Sequence, residues 1–329
     1  MNQWHLSNVA RLASTSVALL ALICCGIAHA EDRIHFLIPG GAGGGWDMTA
    51  RVVGESLSRS GLIKVASYEN LSGGGGSRAI AHLVENAPRQ ANTLMVSSTS
   101  IILRSLRDNF QFSYRDLTPI ASVIADYGAF VVRVDSPYES WQDVIDDYRK
   151  DYRRVNIAGG SSRGSTDHVV AALAFAKSGL DVRRLKYIPY NAGGHAMVGL
   201  LSGETQLLST GLSEGAALAE QGEVRILAIT APERLPLFPE VPTLAEQGVP
   251  ATFANWRGFL AAPGLDPRLV RDYELLLEKM LATEMWPELR DSRGWSHLHV
   301  SGDDFEDFLA EQERELSVLL ANLGLLHKK

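Results

Sequence analysis

Pro39-Gly-Gly-Ala-Gly-Gly-Gly-Trp-Asp47 decides how this chain is read, together with three stretches of the same kind: Glu69-Asn-Leu-Ser-Gly-Gly-Gly-Gly-Ser77, Ala158-Gly-Gly-Ser-Ser-Arg-Gly-Ser-Thr-Asp167 and Pro189-Tyr-Asn-Ala-Gly-Gly-His195. Each lies between an apolar, strand-like run and a helix-like run. Such a loop brings bare backbone N–H groups to the first turn of a helix. The partial positive charge and unsatisfied donors there suit an anion. Two loops fall in the first third of the chain and two in the middle. Two pairs on two half-molecules predict a cleft that grips a carboxylate ligand from both sides. The four glycines at 73–76 and three at 43–45 exceed what a tight turn requires. They point to close backbone approach to something small.

Outward from these loops the chain alternates strand and helix. Ile34–Ile38, Lys64–Tyr68 and Leu94–Ser97 read as short buried strands. Between them lie a helix from Asp47, with Met48, Val52 and Leu57 on one side, and a helix over Ser77–Val84. That alternation predicts an α/β fold with a mainly parallel sheet covered by helices. Ala129–Val134 is a further strand, and Asp135-Ser-Pro137 a turn where the chain is expected to cross into a second domain. The middle repeats the pattern: strands at Val155–Ala158, Tyr187–Ile188, Gln206–Ser209 and Ile226–Thr230, helices at Trp141–Tyr152, Thr166–Lys177 and His195–Leu201. Pro232–Pro250 holds five of the 13 prolines. It reads as a returning loop, with Leu244–Gly248 a short helix and its stop. Phe259–Ala262 is then a strand back in the first domain. Pro267–Leu281 and Asp303–Leu323 are amphipathic helices, the last with Ser301 as a partial cap. The expected division is 31–133 plus 253–329 for one lobe and 134–252 for the other.

The chain has 329 residues, 46% hydrophobic and 21% charged, with net charge −7. That is ordinary for a globular protein of two domains. No basic run exceeds Arg183-Arg184 and Lys328-Lys329, so no nucleic-acid surface is expected. The first thirty residues read as a secretory signal: Arg11 is the only formal charge before Glu31, Val17–Ala28 is apolar, and Ala28-His29-Ala30 is a cleavage pattern. Cleavage after Ala30 is expected. It would remove both cysteines, Cys24 and Cys25, leaving no disulfide, thiolate or Cys-ligated metal.

Other chemistries fit poorly. Gly74-x-Gly76-x-x-Ala79 lacks the acidic residue a dinucleotide needs about twenty positions on. No glycine loop ends as a phosphate-binding loop does in Gly-Lys-Ser/Thr. Gly160-Ser-Ser-Arg-Gly164 matches the G-x-S-x-G of serine hydrolases, with Ser162 as nucleophile and His195, His297 or His299 as base. It lacks an oxyanion segment, and the loop runs on to Asp167 before its helix. The plainer account makes Ser161, Ser162, Ser165 and Thr166 loop and cap hydroxyls. His297-x-His299 has no third ligand at a metal-site spacing. Asp47 fits helix capping, Trp46 either a pocket wall or sheet packing, and Trp256 the core. No cofactor and no metal are expected.

Five motifs then occur in order: Pro39-Gly-Gly-x-x-x-Gly-Trp-Asp-x-Thr-Ala-Arg51, Glu69-Asn70 with Gly73–Gly76, Gly164-Ser-Thr-Asp-His168, Ile188-Pro-Tyr-Asn-Ala-Gly-Gly194 and Val241-Pro-Thr-Leu-Ala-Glu-Gln-Gly248. The chain resembles, over essentially all of its length after residue 30, the solute-binding proteins of tripartite tricarboxylate transporters, TctC-like proteins also called the Bug family. The resemblance implies a two-lobed type II periplasmic binding protein that closes on its ligand like a Venus flytrap. It implies a monomer in the periplasm, delivering a small carboxylate, a tricarboxylate such as citrate first, to one large and one small membrane subunit. Carried onto this chain, it places the ligand against Gly43, Gly44, Gly45, Trp46, Asp47, Gly75 and Ser98 in one lobe. In the other it points to Ser165, Thr166, His168, Tyr190 and Gly194. The second loop departs from the family pattern: Asn70-Leu-Ser-Gly stands where many members carry Asn-x-Pro-Gly. An exported sensor input would share all of these features.

Overall fold

The computed structural model describes residues 33–107 and 110–326. The expected signal segment and its cleavage point lie outside the described residues. In chain order the principal elements are β1 (Arg33–Ile38), α1 (Gly45–Arg59), β2 (Val65–Asn70), α2 (Ser77–Glu85), β3 (Thr93–Ser98), α3 (Thr99–Arg107), β4 (Thr118–Arg133) and α4 (Trp141–Lys150). They continue with β5 (Asn156–Gly159), α5 (Thr166–Lys177), β6 (Lys186–Pro189), α6 (Gly193–Leu201), β7 (Leu207–Gly211), α7 (Leu212–Glu220) and β8 (Val224–Ile229). The last are β9 (Ala254–Ala261), α8 (Pro267–Leu281), α9 (Met285–Asp291), β10 (Ser296–His297) and α10 (Asp303–Asn322).

The strand order is β2-β1-β3-β9-β4-β7-β5-β6, with β8 and β10 both on β4. Two parallel trios, β2-β1-β3 and β6-β5-β7, stand at the ends. In each trio the central strand comes first in the chain, so the second half repeats the first. Parallel strands need helical crossovers, which α1, α2, α5 and α6 supply. The strands that join the halves are antiparallel to their neighbours. β4 belongs to both sheets: Thr118–Tyr127 pairs with β9, and Gly128–Arg133 with β7 and β8. The molecule is therefore two α/β lobes sharing one long strand.

Burial follows the apolar pattern. Ile34, Phe36, Leu37 and Ile38 of β1 and all of β3 are buried, as expected of strands covered on both faces. On α1, Ala50, Val53 and Leu57 sit one helical repeat apart and are buried, while Met48 is half-buried. Trp256 is in the core, edge-on to Phe305 of α10.

Several expectations are corrected. β4 is 16 residues long and starts well before Ala129; Pro119 and the small, mixed residues up to Gly128 hide its first half. Leu212–Glu220 and Met285–Asp291 are helices that the sequence reading left unassigned, as is Thr99–Arg107, whose Thr-Ser start reads as loop. Leu244–Gly248 forms hydrogen-bonded turns, Gln247 N–H to Leu244 O and Gly248 N–H to Ala245 O, not a helix. Ser301 does not cap α10. Its N-cap is Gly302 at φ 62°, without a side-chain bond.

Candidate functional site

All four glycine loops open onto one cleft of about 790 Å³. It lies beyond the carboxyl ends of β1, β3, β5 and β6, where open α/β sheets place ligands. Its walls include Gly44, Gly45 and Trp46, then Gly73–Gly75, Ser98 and Ser100, and from the other side Gly160–Ser162, Ser165–Asp167 and Pro189–Gly193. The N-termini of α1, α5 and α6 meet there, and none carries a side-chain cap. Away from the cleft, α4 and α8 are capped by Ser140 and Asp266, while α9 and α10 carry no side-chain cap. The donors of the first turns around the cleft are thus left to whatever enters it.

The first loop is held from behind. Asp47, on the first turn of α1, is buried and turned from the cleft. Its carboxylate takes the Gly43 N–H (3.0 Å), Arg51 Nε (2.9 Å) and Asn70 Nδ2 (3.0 Å). It reaches back along the chain as the acidic half of a capping box does, so Asp47 and Gly43 shape the loop without lining the cavity. Trp46 does line it. Its ring lies against Gly40 and Gly76, and its indole N–H donates to Ser98 Oγ at 3.0 Å. Ser98 Oγ also accepts the Ser100 amide at 3.3 Å. Having accepted twice, this buried hydroxyl keeps its own proton for an acceptor in the cleft. The second loop can turn here because Gly73, Gly74, Gly75 and Gly76 all have positive φ, 140°, 56°, 61° and 105°. Only glycine takes such a run without steric penalty.

Across the cleft, Thr166 Oγ1 lies 2.6 Å from Ser100 Oγ, and Ser165 Oγ donates to the same atom at 3.2 Å. These two expected ligand residues line the cavity and also fasten α5 to α3. Ser162 Oγ accepts from Arg104 Nη1 at 3.3 Å. Among the described residues no histidine bonds to it, so nothing there would deprotonate it as a nucleophile. His168 packs on Tyr187 behind the loop, with ring centroids 4.7 Å apart. Its Nδ1 accepts the Gly164 N–H at 2.8 Å, and burial, with Arg163 and Arg107 nearby, lowers its pKa to about 4. It is a neutral ring that braces the loop and does not line the cavity. Tyr190 lines the wall while its hydroxyl donates to Glu204 Oε2 at 2.7 Å. Gly194 is exposed and outside the cavity, whereas its neighbour Gly193 lines it. Of the residues expected from sequence, Gly44, Gly45, Trp46, Gly75, Ser98, Ser165, Thr166 and Tyr190 are brought together; Gly43, Asp47, His168 and Gly194 stand behind or beside them.

The sequence reading missed the charged floor. Arg257 of β9 is 3% exposed and donates to Asp126 Oδ2 of β4 at 2.6 Å, to Gly45 O at 3.0 Å and to Thr49 Oγ1 at 3.2 Å. A Cβ at Gly45 would fall inside this guanidinium. Gly45 therefore serves an arginine as well as the cavity. Asp126 also takes the Ser213 hydroxyl at 2.7 Å, at the start of α7. Glu214 accepts from Thr210 Oγ1, and the nearby Gly45 backbone favours its charged form. Asp167 takes the Ser161 hydroxyl at 2.9 Å. Burial and the Glu214 charge push the Asp167 carboxyl up to about 7. Burial likewise raises Asp126 and Glu214, against the pull of Arg257. A charged residue inside an otherwise apolar strand run was the available signal, both for Asp126 and for Arg257.

The paired histidines are elsewhere. β10 is two residues long, and His299 Nδ1 sits 3.0 Å from Ser122 O on β4. Among the described residues no group of three metal-ligating side chains occurs, and no helix is long and apolar enough to cross a membrane.

Comparison with known proteins agrees with this geometry. The structure of the periplasmic binding protein BugD aligns with a TM-score of 0.80 at 21% identity, covering 90% of this chain and 99% of that one. Rpa4515 of R. palustris with adipate gives 0.80 at 23%, covering 89% and 97%. The fold is thus the expected two-lobed type II binding-protein fold. Protein BugT of Bordetella pertussis is 27% identical over 302 residues, 88% of this chain and 89% of its own. A UPF0065 protein of Cupriavidus necator is 25% identical over 329 residues, 99% of each. Residues 49–325 match the model of the tripartite tricarboxylate transporter family receptor. With two lobes, a glycine-lined cleft and uncapped helix ends where an anion would sit, this chain belongs to that receptor family: it is a periplasmic solute-binding protein and not an enzyme.

Proposed function

We propose that this protein captures one small carboxylate in the cleft and delivers it to the large and small membrane subunits of a tripartite transporter. The observation that carries the reading is the convergence of three uncapped helix N-termini, α1 from one lobe and α5 and α6 from the other, on a single cavity. An anion held by both lobes favours the closed form by its differential affinity for the two states. A tricarboxylate such as citrate is the first ligand to test. R. palustris Rpa4515 with adipate and MatC with malate support a small dicarboxylate equally. The ligand-contacting set is Gly44, Gly45, Trp46, Gly75, Ser98, Ser165, Thr166 and Tyr190, with Gly193 in place of Gly194.

The lobes in this reading are residues 33–127 with 254–326, and residues 128–253. The change of β4 partner at Tyr127 and Gly128 supports that division. It moves the first crossing earlier than the 133/134 boundary drawn from sequence. The protein acts as a monomer in the periplasm after loss of residues 1–30.

The test is a thermal-shift panel on residues 31–329 with citrate, tricarballylate, C4 to C6 dicarboxylates, aromatic acids, amino acids and a nucleotide. A ligand at a hundred times its Kd adds roughly 2.7 kcal/mol of stability. A shift confined to carboxylate-bearing compounds supports the reading. A shift with the nucleotide alone, or with nothing, rejects it.

A further inference from the structure

The cleft built to receive a carboxylate is lined by carboxylates of its own. Asp126, Asp167 and Glu214 all face it, and Arg257 is the one permanent cation lining it among the described residues. That guanidinium is engaged by Asp126, Gly45 O and Thr49. Asp167 and Glu214 hydrogen-bond to neutral side chains, Ser161 for one and Thr210 for the other, with the Arg257 charge acting on both from nearby. An ionised carboxylate has about four acceptor sites, so each retains capacity toward the cavity. A separate observation agrees. Asn255 lines the same cleft, and its Oδ1 is shielded from solvent with no hydrogen-bond partner. The complementary donor is Ser98, 2% exposed, whose hydroxyl accepts twice and keeps its own proton. The cavity therefore presents both unmet donors and unmet acceptors.

The geometry points to Asp167 and Glu214, helped by Asn255, as specificity-determining residues that select carboxylates bearing a hydrogen-bond donor, an ammonium group above all. This rests on the solute-binding reading and narrows it. The ligand's carboxylate meets the helix ends and Ser98, and its donor group meets the carboxylate pair. An ammonium there would relieve the repulsion between Asp167 and Glu214. A ligand that is acceptor throughout would add to it. A zwitterionic amino acid thus stands ahead of citrate, whose single hydroxyl is a weaker match.

The test is calorimetric titration with matched probes: glutamate against glutarate, aspartate against succinate, and citrate alone. Wild-type protein is expected to bind at least one amino member about tenfold or more tightly than its amino-free partner, the range of a charge-assisted hydrogen bond. Glu214→Gln should shrink that ratio and tighten binding of the amino-free acid. A purely structural role would weaken both. Asp167→Asn gives the same reading if Glu214→Gln fails to fold, and the wild-type ratio stands without either. Equal or tighter binding of succinate, glutarate or citrate by wild type overturns the inference while leaving the solute-binding reading intact. No binding by any probe overturns both.

Discussion

Gly45 illustrates how one residue serves two demands. It begins α1 in the cleft wall, and it gives Arg257 room to cross beneath the loop. Gly45→Ala must displace a guanidinium that is bonded three ways. We expect a loss of about 1–3 kcal/mol, the usual cost of overpacking, measurable by urea denaturation. Unchanged stability would mean that Arg257 moves freely. Asp167 gives a pH signature. Its folded pKa is raised to about 7, so between about pH 4 and pH 7 the folded state holds a proton that the unfolded state releases. Its contribution to stability is present at the acid end and declines as pH rises through 7. The melting temperature of ligand-free protein should fall over that range, and Asp167→Asn should flatten the fall. An identical slope in the variant would place the titration elsewhere.

At the scale of elements, the contrast is between helices that cap themselves and helices that do not. Ser140 closes α4 with a capping box, whereas α5 starts at Ser165 with its hydroxyl turned to Ser100 instead. The Ser100–Thr166 contact then joins α3 to α5 across the cleft. Thr166→Ala should weaken carboxylate binding by roughly 0.5–1.5 kcal/mol, about three- to tenfold, without altering the fold. If Ser100→Ala in the same background costs nothing further, the two act as a pair; additive losses would deny it. The second loop is set by backbone alone. Gly75 at φ 61° makes Gly75→Ala costly by about 1–2 kcal/mol, seen as a lower denaturation midpoint.

At the scale of the molecule, β4 and β9 are the two connections between lobes, and the buried pair Asp126–Arg257 bridges them just before the sheets part. Breaking it leaves an uncompensated buried charge, a cost of about 3–5 kcal/mol. Asp126→Asn should therefore lower the melting temperature sharply. Replacing both residues with apolar ones of similar size should cost less. A single variant as stable as wild type would show that the pair is not held in solution. Carboxylate binding should also reduce the radius of gyration by small-angle scattering, because the lobes close on a shared anion. An unchanged radius with saturating ligand would mean that the cleft is closed before binding.

The sequence by itself determined the alternation of strands and helices, the four glycine loops and their resemblance to one receptor family. All of these are local: period, turn chemistry and the missing Cβ act within a few residues. The start and end of α5 and α8 could be read directly, since apolar spacing lies on the segment itself. Only the tertiary structure decided that Asp47 and His168 face away from the cleft, that β4 runs through both sheets, and that Asp126, Arg257, Asp167 and Glu214 share its floor. Those charges come from two crossing strands and two helices far apart in the chain. Their meeting depends on strand register and on lobes packing together, which no local pattern encodes.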